Sequence, residues 1–75
     1  MKFTQKIHFY GVNDDNTVTF YVLDAEGTKQ FYRASARFKL LGELDEMEKE
    51  SELVATLGVA YVRGKGLILQ IVEVV

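Results

Sequence analysis

Aromatic and basic residues alternate through the middle of the chain, and their spacing carries its clearest chemical signal. In extended backbone, side chains two apart share a face. Phe31, Arg33 and Arg37 would then point one way, and Tyr21 on the preceding segment would join them across a hairpin. Lys6, His8 and Tyr10, near the N-terminus, would flank this group. Ring faces interleaved with cations suit single-stranded nucleic acid, because every base offers a π-face and the backbone needs positive charge. The same residues also admit a plainer role. Tyr21 and Phe31 on neighbouring strands would form a cross-strand pair that stabilises the hairpin. Lys65, between Gly64 and Gly66, sits where a tight turn would expose it to a phosphate. The segment opens no helix and lacks the other residues of a phosphate-binding loop, so it reads as a hairpin turn.

A second constellation is acidic. Glu43, Asp45, Glu46, Glu48 and Glu50, followed by Glu52, crowd six carboxylates into ten residues. Such a cluster would steer a basic protein partner or imitate a nucleic-acid backbone. It would equally serve as a solvated face that keeps a small domain soluble.

Other chemistries are poorly supplied. The chain has no Cys and one His. A thiolate metal site, a disulfide framework and a cysteine nucleophile are excluded. No serine or threonine has a spaced base, and the acidic run has no reason to carry shifted carboxyl groups. Asn13-Asp14-Asp15-Asn16 offers oxygen ligands but lacks the spacing and distal Glu of a calcium loop. The expectation is a non-enzymatic binding module with no cofactor and no metal.

These side chains need a scaffold. Residues 2–12 alternate, with Phe3, Ile7 and Phe9 on one side and Thr4, Lys6, His8 and Tyr10 on the other, which predicts a strand with a bulge or bend at Gly11. Asn13–Asn16 makes a turn. Thr17–Leu23 is a second strand with Val18, Phe20 and Val22 inward. A turn at Asp24–Gly27 leads to a third strand over 28–37, with Tyr32, Ala34 and Ala36 inward. The period then becomes helical: Leu40, Leu41, Leu44 and Met47 predict a helix over 38–51 whose opposite face carries the acids. Strand character returns over 53–63 and, after the Gly-Lys-Gly turn, over 67–75.

The order is β-β-β-α-β-β, mainly β. Five short strands and one helix bury their apolar faces best in a small closed barrel. In this order, in the YVLDAEGTK hairpin and in the closing VAYVRGKGLILQIVEVV hairpin, the whole length of the chain resembles the OB-fold. The resemblance implies that the last strand lies between the third and fourth. It also implies a ligand surface on strands two and three, bounded by the loops joining strands 1–2 and 4–5. The matching positions are Tyr21, Phe31 and Arg33, with Arg63 and Lys65 around the last hairpin.

Seventy-five residues fit one domain, 1–75, with a small core. The net charge of −2 conceals two regions. Residues 43–52 hold six acids and one lysine, −5, and the remainder holds eight basic and five acidic residues, +3. The acids of the first turn, Asp14 and Asp15, and a pI near 5.3 weigh against an anionic ligand. No apolar run is long enough to span a bilayer, and the N-terminus has no signal-like apolar stretch, so a cytoplasmic protein is expected. Seven apolar residues in the last nine exceed the evident need of the core, which suggests a homo-oligomer.

Overall fold

The computed structural model describes residues 2–75. Strands β1 (Lys2–Val12), β2 (Thr17–Leu23) and β3 (Lys29–Ala36) precede helix α1 (Phe38–Asp45), and β4 (Glu52–Val62) and β5 (Gly66–Val74) follow it. The strands close into a barrel in the order β1-β2-β3-β5-β4. The last strand therefore sits between the third and fourth, as the sequence resemblance implies. All pairings are antiparallel except β3 with β5, which joins only Ser35 to Gln70 and Ala36 to Ile71. The barrel is thus closed firmly around most of its girth and narrowly at one seam.

Inward positions follow the alternation of the sequence, except that Phe3 and Tyr32, expected inside, lie at an open end and are 44% and 48% exposed. Ile7, Phe9, Val18, Phe20, Ala34, Leu53, Ala55, Leu57 and Ile71 fill the interior. Two bulges adjust the pattern. In β1, Phe9 pairs with Phe20 and Gly11 with Thr19, leaving Tyr10 as the extra residue. The extra residue reverses the alternation, so Val12 packs against the core instead of facing out. In β5, Ile71 pairs with Leu57 and Glu73 with Thr56, leaving Val72 unmatched. Val74 is turned inward by the same device.

Helix α1 closes one end of the barrel with Leu41 and Leu44, and Leu40 and Met47 pack beside them. It spans eight residues, not the fourteen predicted. Acids at Glu43, Asp45 and Glu46 crowd its C-terminal end, where the helix dipole disfavours negative charge, and no basic residue occupies the last turn. Tertiary bonds then capture the chain. The Glu50 N–H donates to the Phe9 carbonyl at 2.6 Å, and the Phe9 N–H donates to Ser51 at 2.8 Å. The expected acidic helix face is therefore divided. Only Glu43 and Asp45 lie on α1; Glu46 is its C-cap, Glu48 and Glu50 belong to the connection, and Glu52 opens β4. No helix is long and apolar enough to cross a membrane among the described residues.

Candidate functional site

The outward row of β3 is Lys29, Phe31, Arg33 and Ser35, with the first three exposed. Beside it, Tyr21 on β2 pairs with Phe31, and His8 on β1 pairs with Tyr21. Three strands thus bring His8, Tyr21 and Phe31 into one line across the sheet. The His8 and Tyr21 rings stack at 4.8 Å and 6°. Phe31 tilts against Tyr21 at 5.3 Å, and Tyr10 meets the Phe31 edge at 5.2 Å. The bulge in β1 keeps Tyr10 on this outer face.

The rings are not equally accessible. Tyr21 is 5% exposed although it points away from the barrel. His8 covers one side of it, and the Lys29 ammonium lies 4.8 Å from its ring centre. Its hydroxyl donates to Glu50 Oε1 at 3.2 Å, and Lys29 Nζ donates to that same oxygen at 3.1 Å. The expected stacking role for Tyr21 is therefore unavailable in this conformation: it is the floor of the cluster, not its surface. Phe31 is 51% exposed and Tyr10 37%. These are the rings a ligand can reach, and Lys49 already caps Tyr10 at 4.0 Å.

Charge on this face is held in pairs. The hydrogen bond and charge of Lys29 hold the Glu50 carboxyl below its ordinary value. Lys29 is raised in return by the same bond. Burial, reinforced by the Glu50 charge, lifts the Tyr21 phenol. Arg33 lies 3.7 Å from Asp15, whose carboxyl is lowered chiefly by the Thr17 hydroxyl that donates to it. Glu52 lies 3.5 Å from Lys6 and 3.9 Å from His8.

Between loop 13–17 and the start of β5 runs a groove of about 500 Å³. Arg33, Ser35, Asp15, Lys65 and Leu67 are among its walls. It exists because β3 and β5 pair at only two positions and diverge beyond them. Loop 13–17 is held by its own side chains: Asn13 Nδ2 donates to Thr17 and Thr19, and Asp15 accepts from Thr17. This is the turn the sequence predicts, and no group of three potential metal ligands occurs among the described residues.

The predicted residues separate into three places. Phe31, Arg33 and Lys65 reach the outer face or the groove beside it. Arg63 lies exposed in the turn between β4 and β5. Arg37 does not join them: β3 ends at Ala36, and Arg37 is the N-cap of α1, beside Leu40, Glu43 and Val74. Glu43, Asp45, Glu46 and Glu48 are exposed, whereas Glu50 is engaged by Tyr21 and Lys29. Lys29 and Lys49, which contact these rings, were not singled out from the sequence. The two-residue period from Phe31 to Lys29 was the available signal for the first. Nothing local to Lys49 could have placed it over Tyr10.

The chain matches no family model, no curated protein and no solved structure at a significant level.

Proposed function

We propose that this barrel is an OB-like, non-enzymatic module that binds single-stranded nucleic acid across the outer face of β3 and the adjoining groove. The observation that carries the reading is the exposed row Lys29–Phe31–Arg33, a ring between two cations on one strand. Phe31 would stack one base. Arg33, Lys65 and Lys29 would take phosphates, with Arg63 available at the next turn. Tyr21 and His8 would hold Phe31 in place from beneath.

The acids on this face are compatible with the reading. Asp15 and Glu50 occupy the positions at Arg33 and Lys29 that phosphate oxygens would take. Exposed ion pairs contribute little to stability, so a phosphate can displace Asp15 from Arg33 at small cost. Glu50, bonded to Tyr21 as well, would stay in place while Lys29 turns to the phosphate. The oppositely directed reading is a protein partner recruited by Glu43, Asp45, Glu46 and Glu48, which have no ion-pair partner among the described residues.

Titration of a fluorescent single-stranded oligonucleotide at low salt tests the proposal. Binding that Phe31→Ala weakens strongly supports it. Absence of binding to DNA and RNA oligonucleotides alike removes it, and charge reversal at Glu46 and Glu48 in a pull-down with basic proteins then tests the other reading.

A further inference from the structure

The two ends of the barrel are unlike. Helix α1 fills one. The other opens as a cavity of about 260 Å³ lined by Phe3, Phe20, Tyr32, Leu57 and Leu69, with Gln5 as a polar member. An arm projects beside this mouth. Beyond Gly58, the partner of Lys2, β4 pairs only with β5; before Gln70, β5 has no partner on β3. Residues 59–69 therefore form a two-stranded extension. Register pairs Val59 with Leu69 and Tyr61 with Leu67. By alternation, Val59, Tyr61 and Leu67 continue the face on which Leu57 and Leu69 line the cavity.

This surface is apolar and open. Phe3 is 44% exposed, Tyr32 48%, Val59 44%, and Tyr61 and Leu67 are each 73%. With aromatic side chains of about 200 Å² and the aliphatic ones added, the bare apolar area is on the order of 500 Å². A specific interface of standard size buries about 800 Å² per partner, and homodimer interfaces are roughly 65% apolar. The two quantities agree.

Charge selects the occupant. The turn between β2 and β3, at the mouth, carries Glu26, and the tip of the arm carries Arg63 and Lys65. None of the three has an ion-pair partner among the described residues. A two-fold axis would bring each arm tip to the other copy's turn, so opposite charges would meet twice. The cavity also suits the side chain that the arm offers. A void of about 150 Å³ already accepts benzene, so this mouth has room for a phenol ring.

We propose that a second copy of this chain covers the mouth. The arm of each copy crosses the barrel end of the other, Tyr61 enters the partner's cavity, and Arg63 and Lys65 face the partner's Glu26. Both readings draw on Arg63 and Lys65, but this one is measured without an oligonucleotide, so either can fail while the other stands.

Sedimentation equilibrium of the full chain, from micromolar to millimolar concentration, is the test. The expected result is a mass that rises from 8.5 kDa toward twice that value. Tyr61→Arg and Leu67→Arg should each weaken association at least tenfold while far-UV circular dichroism is unchanged. Glu26→Lys, and Arg63→Glu with Lys65→Glu, should each weaken it, and all three together should restore it. A constant mass of 8.5 kDa overturns the proposal, as does a dimer indifferent to Tyr61→Arg or a charge exchange that fails to restore association. A monomer whose mouth binds an apolar dye in a Tyr61-dependent way would assign the cavity to a small ligand and overturn it equally.

Discussion

The Tyr21 hydroxyl and the Glu50 carboxylate, 29 positions apart in sequence, meet at 3.2 Å on the outside of the barrel. Glu50 reaches that point from a left-handed conformation, φ 69°, unusual for a residue with a side chain. Its N–H bonds to Phe9 and its carboxylate to Tyr21 and Lys29, so one residue fastens the connection after α1 to three strands.

Glu50→Ala should therefore lower the thermal midpoint more than Glu48→Ala, which removes an exposed side chain from the same connection. Thermal unfolding followed by circular dichroism compares the two. Tyr21→Phe should fall between them, because it keeps the buried ring and loses only the hydroxyl bond. Equal midpoints for all three would show that the connection is held by its backbone bonds alone.

The pH dependence has two limbs. Glu50, Asp24 and Asp15 titrate below their ordinary values of 4.5, 3.8 and 3.8. For Asp24 the main cause is the backbone N–H of Thr28. A lowered carboxyl group contributes stability that is complete above its unfolded value and disappears as pH falls through the folded one. Tyr21 and Lys29 are raised above 10.0 and 10.5. Their contribution is complete below those values and disappears as pH rises through the folded ones. Urea midpoints should form a plateau from about pH 5 to 9. Glu50→Gln should make both limbs shallower without removing either, because Asp15 and Asp24 still titrate on the acid side and burial still raises Tyr21 on the basic side.

Salt and charge discriminate the nucleic-acid reading from non-specific adhesion. A stacked base contributes about 1–3 kcal/mol, so Phe31→Ala should weaken oligonucleotide binding on the order of tenfold or more. Arg33→Ala should reduce the slope of log affinity against log salt by about 0.7. Asp15→Asn should strengthen binding, because it frees Arg33 and removes a repulsive charge. Fluorescence anisotropy at several salt concentrations reads all three. Weakening by Asp15→Asn would contradict the assignment of Arg33 to a phosphate.

Leu44 is 1% exposed and closes the barrel end. Leu44→Ala should destabilise the domain by about 2–5 kcal/mol. Phe38→Ala, at a residue 79% exposed on the same helix, should change stability by less than about 0.5 kcal/mol. Urea denaturation separates the two, and comparable losses would mean that the helix does not seal the core as described.

The order of elements along the chain, most inward residues and the turns were legible in the sequence because period-two alternation and turn chemistry are local. The place of β5 between β3 and β4 came only from the resemblance, and Phe3 and Tyr32, expected inside, stand half exposed at the open end. The bounds of β2 and the turn at Asn13–Asn16 follow from a few neighbouring residues. The helix length was not legible. Leu40, Leu41, Leu44 and Met47 keep helical spacing past the point where Glu50 and Ser51 are drawn onto Phe9, and a competing long-range bond leaves no local trace. The surplus of apolar residues in LILQIVEVV was also misleading in part, because one unmatched residue at Val72 turns Val74 inward.

By itself the sequence determined a cysteine-free, mainly β domain with an aromatic-basic face and a concentrated block of acid. Tertiary structure decided which of those residues a ligand can reach. Tyr21 and Phe31 are neighbours of similar chemistry on adjacent strands, and pattern alone treats them alike. Glu50 and Lys29 close over Tyr21, and Phe31 remains half exposed. Accessibility depends on what arrives from elsewhere in the chain, and alternation reports only which way a side chain leaves its own strand.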